Sequence, residues 1–271
     1  MAWFTWRVSA LAAVCLVGFA LVSRRRGGRW AAAADYCQEA AVILGLYAVW
    51  QLSLDFMVTS VTGAVPHARW VWDLERSLHL PSEVSVQHAA LGHPVVIQAL
   101  NLFYSVVHFP ALIVCLIWLF ARHREHYSDA RTTLVLLTGA CALLQAIPVA
   151  PPRLLANMGF VDAGALYGQS PYAAGGLHDP GQLIAMPSVH VAWAVLIAAI
   201  VVQVSSSGWR WLVLAYPVLT VIAVVATGNH WWLDGVVAVA LLALVLLVQQ
   251  AAAALGPGRR GWRRGFRPAA A

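Results

Sequence analysis

An all-α bundle of helices set in a membrane is the fold class this sequence predicts, and three observations predict it. Of the 271 residues, 61% are hydrophobic and only 10% charged, against about 25% charged in ordinary soluble domains. The apolar residues gather into long runs, most of them near the roughly 20 residues that a hydrocarbon core requires. All 17 basic residues are arginines, clustered between those runs, which is where charges anchor helix ends at a membrane surface. A soluble core would leave much of this apolar sequence as exposed patches. The net charge of +6 therefore belongs to juxtamembrane junctions. It implies the bilayer as a partner, not nucleic acid.

Seven spans are expected, at 8–23, 36–60, 96–120, 132–149, 184–204, 211–227 and 231–252. The first is the shortest. A cleaved signal peptide carries its positive charge before the apolar run, whereas here Arg24, Arg25, Arg26 and Arg29 follow it. It reads as a retained span. The organisation expected is an N-terminal transmembrane helix with a basic turn over 1–30, a membrane-embedded catalytic domain over 31–255, and a disordered basic tail over 256–271. Placing the 24–29 cluster in the cytoplasm puts 13 of the 17 arginines inside, leaving Arg7, Arg69, Arg76 and Arg153 outside. One topology thus satisfies the positive-inside rule at every crossing. It describes an integral protein of a bacterial plasma membrane with a cytoplasmic C-terminus.

Between the spans, residues 64–92 form an outside connection with Trp70, Val71, Leu74 and Leu78 at helical spacing. This predicts a helix that either lies on the membrane surface or packs on the bundle. Cys15, Cys37, Cys115 and Cys141 lie in or beside apolar runs without a C-x-x-C pair, so they read as small buried hydrophobes, with no disulfide framework or zinc site expected. The Gly-rich loop 154–183, which carries His178 and Asp179, is long enough to form a lid.

Polar groups at membrane depth are costly and call for an explanation. Three segments stand out. In Met186-Pro187-Ser188-Val189-His190, the proline suits a first helical turn. His190 then sits at a helix N-terminus, whose free amides and dipole favour a phosphate, with the Ser188 hydroxyl beside it. In Asn229-His230-Trp231-Trp232-Leu233-Asp234, a helix would put His230 and Asp234 on one face. Asp234 could orient the imidazole for base or nucleophile chemistry, or the pair could simply tie helices together. In Pro151-Pro152-Arg153, a guanidinium suited to phosphate stands at the outer end of the fourth span. From His190 the chain runs about 15 residues inward and about 19 back to His230, roughly 22 and 28 Å of helix. The two histidines thereby reach similar depth at one face. Asn101, Tyr104 and His108 share a face of the third span, as a candidate substrate pocket or as interhelical hydrogen bonding.

These residues resemble the three signature regions of the type 2 phosphatidic acid phosphatase superfamily. The resemblance covers roughly 70–250 and is nearest to its inositol phosphorylceramide synthase-like branch. It implies a six-helix phosphatase or phosphotransferase core acting on a lipid-linked phosphate at the outer face. It implies His230 as nucleophile, Asp234 as its orienting group, and His190 as acid and base. Arg153, Ser188 and Asn229 would be phosphate ligands, with neither cofactor nor metal. Two cations of the phosphatase pattern are absent: its Lys position is Ala146, and its Ser-Arg pair is Ala223-Val224. Val189 replaces a glycine before the histidine. These departures favour the synthase-like branch, in which an alcohol rather than water accepts the phospho-group. A metal-dependent hydrolase using the histidines and Asp234, and a non-catalytic transporter or scaffold, are the competing classes.

Overall fold

The structure is a computed structural model, and it describes residues 5–26, 28–57, 61–172 and 176–255. The tail 256–271, expected to be disordered and basic, lies outside the described residues. Among those described, the chain is helical with no β-strand, and it forms two compact units, Met1–Thr59 and Ser60–Ala271.

The first unit is a helical hairpin of α1 (Trp6–Arg26) and α2 (Arg29–Met57). Arg24 crosses the turn to pair with Asp35 at 3.3 Å and to donate to Gln38. Cys15 is exposed on α1, unlike the buried Cys115 and Cys141. Its neighbours Leu11 and Val14 are exposed too, so this is an apolar outer surface and not a core.

The second unit begins with α3 (Ala64–Ser77) and α4 (Glu83–Leu91), two helices where the spacing predicted one. Next comes α5 (Pro94–Arg122), 29 residues long and interrupted by a π-helical stretch, Phe103–Val107. After α6 (Arg124–Gln145), a loop carries the one-turn α7 (Ala163–Leu166). The helices α8 (Val189–Val204), α9 (Ala215–Ala226, led by a 3-10 turn from Gly208) and α10 (Trp232–Leu255) complete it. Helix α8 packs against α5, α6, α9 and α10, and Ala192, Ala194 and Ala198 are among its buried residues. Side chains this small let helix backbones approach closely, which is how helices associate where lipid removes the hydrophobic driving force.

Among the described residues, four helices are long and apolar enough to cross a membrane: Trp6–Arg26, Pro94–Arg122, Gly208–Ala226 and Trp232–Leu255. Only 17–33% of their most apolar windows is buried inside the protein. Val114, Ile117, Leu244 and Leu247 point outward. Such a surface is stable against hydrocarbon and not against water, as in an integral membrane protein.

The face that α3 buries differs from the expected stripe of Trp70, Val71, Leu74 and Leu78. The buried residues are Ala64, Ala68, Val71 and Glu75, while Trp70 and Leu78 are exposed. The alanines permit close contact with the core around Val149, Leu183 and Trp231. Glu75 is drawn inward because its Oε1 accepts the Leu233 amide at 2.8 Å. Trp72, Phe160 and Trp231 meet edge to face, with centroids 5.5–5.9 Å apart, forming an aromatic floor beneath the loop that carries His230.

Candidate active site

Backbone hydrogen bonds lace the three polar segments together. Val149 donates to Leu183 O at 2.8 Å and Ala185 donates to Val149 O at 3.2 Å, an isolated parallel bridge joining the approach to Arg153 with the approach to His190. The Arg153 amide donates to Gly228 O at 2.7 Å, and the Ser188 amide donates to Asp234 O at 3.2 Å. The indole of Trp231 donates to Ala150 O at 3.1 Å. Each segment is therefore positioned by the other two. Gly228 makes this possible: its φ is +70°, and a Cβ there would lie 2.6 Å from Gln87 Nε2 and 3.2 Å from Arg153 N.

His230 is buried, and its Nδ1 faces two acceptors, Ala185 O at 2.7 Å and Asp234 Oδ2 at 3.2 Å. A carbonyl and a carboxylate can only accept, so Nδ1 carries the hydrogen. The lone pair is thereby left on Nε2. The expected helical i,i+4 pairing is not how Asp234 reaches His230, because α10 starts at Trp232. Asp234, wholly buried, instead folds back from the first turn, and its Oδ2 also accepts the Trp231 amide at 2.8 Å. It caps α10 and fixes the imidazole tautomer with the same oxygen.

His190 is the second residue of α8, as expected, but Pro187 stands one residue before the cap and not in the first turn. The cap is Ser188, whose Oγ accepts the Val191 amide at 3.3 Å. The His190 ring lies 5.7 Å from that of His230, 4.5 Å from Tyr104 and 4.9 Å from His108. The π turn carries Tyr104, and His108 follows it directly. His108 Nδ1 is in turn 2.8 Å from the Tyr216 hydroxyl. Asn101, on the same helix, donates to Ala163 O at 3.1 Å and Gln169 Oε1 at 3.2 Å. It thereby ties the long loop to α5.

Arg153 is buried, a costly position for a guanidinium unless partners surround it. Nε donates to Asn229 Oδ1 at 3.0 Å, and Nη1 reaches Gln182 Oε1 at 3.3 Å and Asp162 Oδ2 at 3.5 Å. Tyr172 covers its face at 4.1 Å and hydrogen-bonds to the Tyr104 hydroxyl. A pocket opens here, bordered by Asn101, Tyr104, Arg153, Tyr172 and Asn229.

The loop residues Asp162, Gln182 and Tyr172 were not among the sequence candidates for this site, and Asp179 was noted only as part of a loop long enough to form a lid. Asp179 accepts from Gln182 Nε2 at 3.2 Å and so supports Arg153 at one remove. No periodicity marks such residues; the length and glycine content of the loop were the only signal. Gln87 on α4 was missed likewise. It accepts from Val161 N at 2.8 Å and donates to Val161 O at 3.0 Å, anchoring the loop beside Gly228. Among the described residues, no three His, Cys, Asp or Glu side chains are grouped as metal ligands.

Neither curated proteins nor solved structures give a match to this chain. A family model, that of the PAP2 superfamily, matches residues 69–248 and so takes in Arg153, His190, His230 and Asp234. The chain belongs to the PAP2 superfamily.

Proposed function

We propose that this protein transfers the phosphoryl group of a membrane lipid phosphate through a phosphohistidine on His230. A phosphatase-type activity on lipid phosphates goes with the family. The observation that carries the finer reading is the His230 tautomer: Ala185 O and Asp234 hold the hydrogen on Nδ1, which leaves Nε2 nucleophilic. In the first step Nε2 attacks phosphorus and the bond to the leaving oxygen breaks. His190 protonates that oxygen, and Asp234 stabilises the imidazolium. In the second step His190 takes a proton from water or an alcohol, whose oxygen displaces His230 from phosphorus. Arg153 and Asn229, with Ser188 and the free amides at the start of α8, bind the equatorial oxygens. Tyr104 and His108 line the site around His190.

Two outcomes share this chemistry, hydrolysis and transfer to a lipid or polyol alcohol. The apolar residues at Ala146 and Ala223-Val224 favour transfer, as in the inositol phosphorylceramide synthase-like branch, because they remove cations that would hold a dianionic monoester. The arginine distribution supports a site on the outer face and a cytoplasmic C-terminus.

The test supplies radiolabelled lipid phosphate to purified protein in vesicles, with and without an alcohol acceptor. Wild type should yield an acid-labile, base-stable labelled protein and then a released or transferred phospho-group. His230→Ala should yield neither while expressing normally. Full turnover in that variant removes the scheme, and turnover abolished by chelators would transfer the chemistry to a metal.

A further inference from the structure

His230 has its non-reacting nitrogen fixed by Ala185 O and Asp234, but His190 has no such contact. The Nδ1 of His190 is buried without a hydrogen-bond partner among the described residues. The same holds for Nε2 of His108, a side chain only 4% exposed. The two rings meet edge to face, with centroids 4.9 Å apart and planes at 70°. An N–H···N bond of about 2.9 Å between imidazoles sets their ring centres roughly 5 Å apart. The spacing already present is that of a hydrogen bond, so forming one needs ring rotation and no shift of either helix.

His108 is itself held in place. Its Nδ1 lies 2.8 Å from the Tyr216 hydroxyl on α9. Phe103 packs edge to face against both rings, at 5.3 Å from His108 and 6.1 Å from Tyr216. Helix α5 packs against α8 and α9, so Tyr216, His108 and His190 line up across three helices. The π-helical stretch Phe103–Val107 ends at His108, and such turns are rare and frequent at functional sites. The Tyr216 oxygen can accept the Nδ1 hydrogen of His108, which leaves a lone pair on His108 Nε2.

We propose that His108, oriented by Tyr216, is a positioning residue that accepts a hydrogen bond from His190 Nδ1 and so holds His190 Nε2 toward the phosphoryl group. As an acid, His190 carries hydrogens on both nitrogens, and the buried Nδ1 hydrogen needs an acceptor. His108 Nε2 supplies it. In the first step the N–H bond at His190 Nε2 breaks as its proton passes to the leaving oxygen, while Nδ1 keeps its hydrogen on His108. In the second step the same Nε2 takes the proton of water or the alcohol. His108 exchanges no proton in either step. Between the steps, neutral His190 has its hydrogen on Nδ1 and its lone pair on Nε2, the state a base requires. The titratable groups facing His190 are Tyr104 and His108 on α5 and His230 before α10.

The inference rests on the phosphoryl-transfer reading of the site, and one of its two measurements does not depend on turnover. Nitrogen NMR of protein in micelles, labelled with 15N in the histidine rings, reports which nitrogen of neutral His190 carries hydrogen; His190→Gln assigns the signal by difference. Steady-state kinetics on vesicles containing phosphatidic acid run alongside. Wild type should show the hydrogen on Nδ1. His108→Leu, which keeps bulk and offers no acceptor, should move it to Nε2 and lower kcat by about 10²-fold, with KM within about two-fold. His108→Gln places an amide oxygen where Nε2 stood; it should return the hydrogen to Nδ1 and recover about ten-fold of the lost kcat. Tyr216→Phe frees the His108 tautomer and should shift His190 the same way as His108→Leu, so the test survives if that variant fails to fold. A wild-type His190 with its hydrogen on Nε2 overturns the proposal. So does a His108→Leu protein that keeps the wild-type tautomer and loses only KM, which would make His108 a wall of the substrate pocket. If His230→Ala turns over normally while the tautomer results stand, the phosphoryl-transfer reading has failed and the His190–His108 bond has not.

Discussion

Replacing Gly228 with alanine tests how tightly the polar segments are braced against one another. The new Cβ would lie 2.6 Å from Gln87 Nε2, 3.2 Å from Arg153 N and 3.3 Å from Arg153 Cα. Ordinary contact begins near 3.4 Å, so something must retreat by roughly 0.8 Å. If Gln87 yields, it gives up one or both hydrogen bonds to Val161; an unsatisfied buried amide costs about 1–3 kcal/mol. If Arg153 yields, its backbone bond to Gly228 O and the aim of its guanidinium are lost. The left-handed φ of +70° adds about 1–2 kcal/mol for any L-residue. The expected outcome is a loss of about 2–5 kcal/mol in stability. Turnover should fall by about 10²-fold, as displacement of a binding group by about 1 Å commonly does. The assay is lipid-phosphate turnover in reconstituted vesicles beside thermal unfolding in the same detergent. Gly139→Ala is the control: nothing lies within 4 Å of its Cβ, and an alanine within α6 should be neutral or stabilising by about 0.5–1 kcal/mol. A Gly228→Ala protein with wild-type kcat and melting temperature would refute the bracing argument.

Other predictions follow from single contacts. Asp234→Asn removes the charge that fixes the His230 tautomer, and kcat should fall by about three orders of magnitude with KM little changed, measured by steady-state kinetics. Arg153→Lys keeps the charge but cannot span Asn229, Gln182 and a phosphate together; kcat/KM should drop by about 10²-fold. In Glu75 the folded-state value is raised from 4.5 to about 9 by burial and Glu83. Its contribution to stability is therefore full below about pH 4.5 and is lost progressively as pH rises toward 9. Glu75→Gln, which does not ionise, should gain on wild type in melting temperature from pH 5 to pH 9, and a constant gap would contradict the upward shift of the buried Glu75 carboxyl.

Much of this protein was legible along the chain. Helix positions are set by runs of apolar residues, because hydrocarbon tolerates no unpaired backbone. The expected runs at 96–120, 211–227 and 231–252 therefore sit on α5, α9 with its leading turn, and α10. Proline and serine before His190 marked the start of α8, because capping is a local matter of a few bonds. Candidate chemistry was legible for a related reason: histidine, arginine and aspartate beside apolar spans are conspicuous by their cost. Position in the chain also sufficed to bring both histidines to one face. What local sequence could not convey was the set of contacts between elements. Asp234 reaches His230 by folding back as a cap and not along a helix face. Ala185 O, supplied by the other motif, fixes the tautomer. Glu75 looks like one more charge on an amphipathic helix until α10 offers it the Leu233 amide. Asp162, Gln182 and Tyr172 surround Arg153 from an irregular loop. A loop carries no periodicity, and its side chains are placed by whatever polar groups the packed helices leave unsatisfied. Only the folded backbone decides which those are, since hydrogen bonds between distant segments depend on distances that chain spacing does not encode.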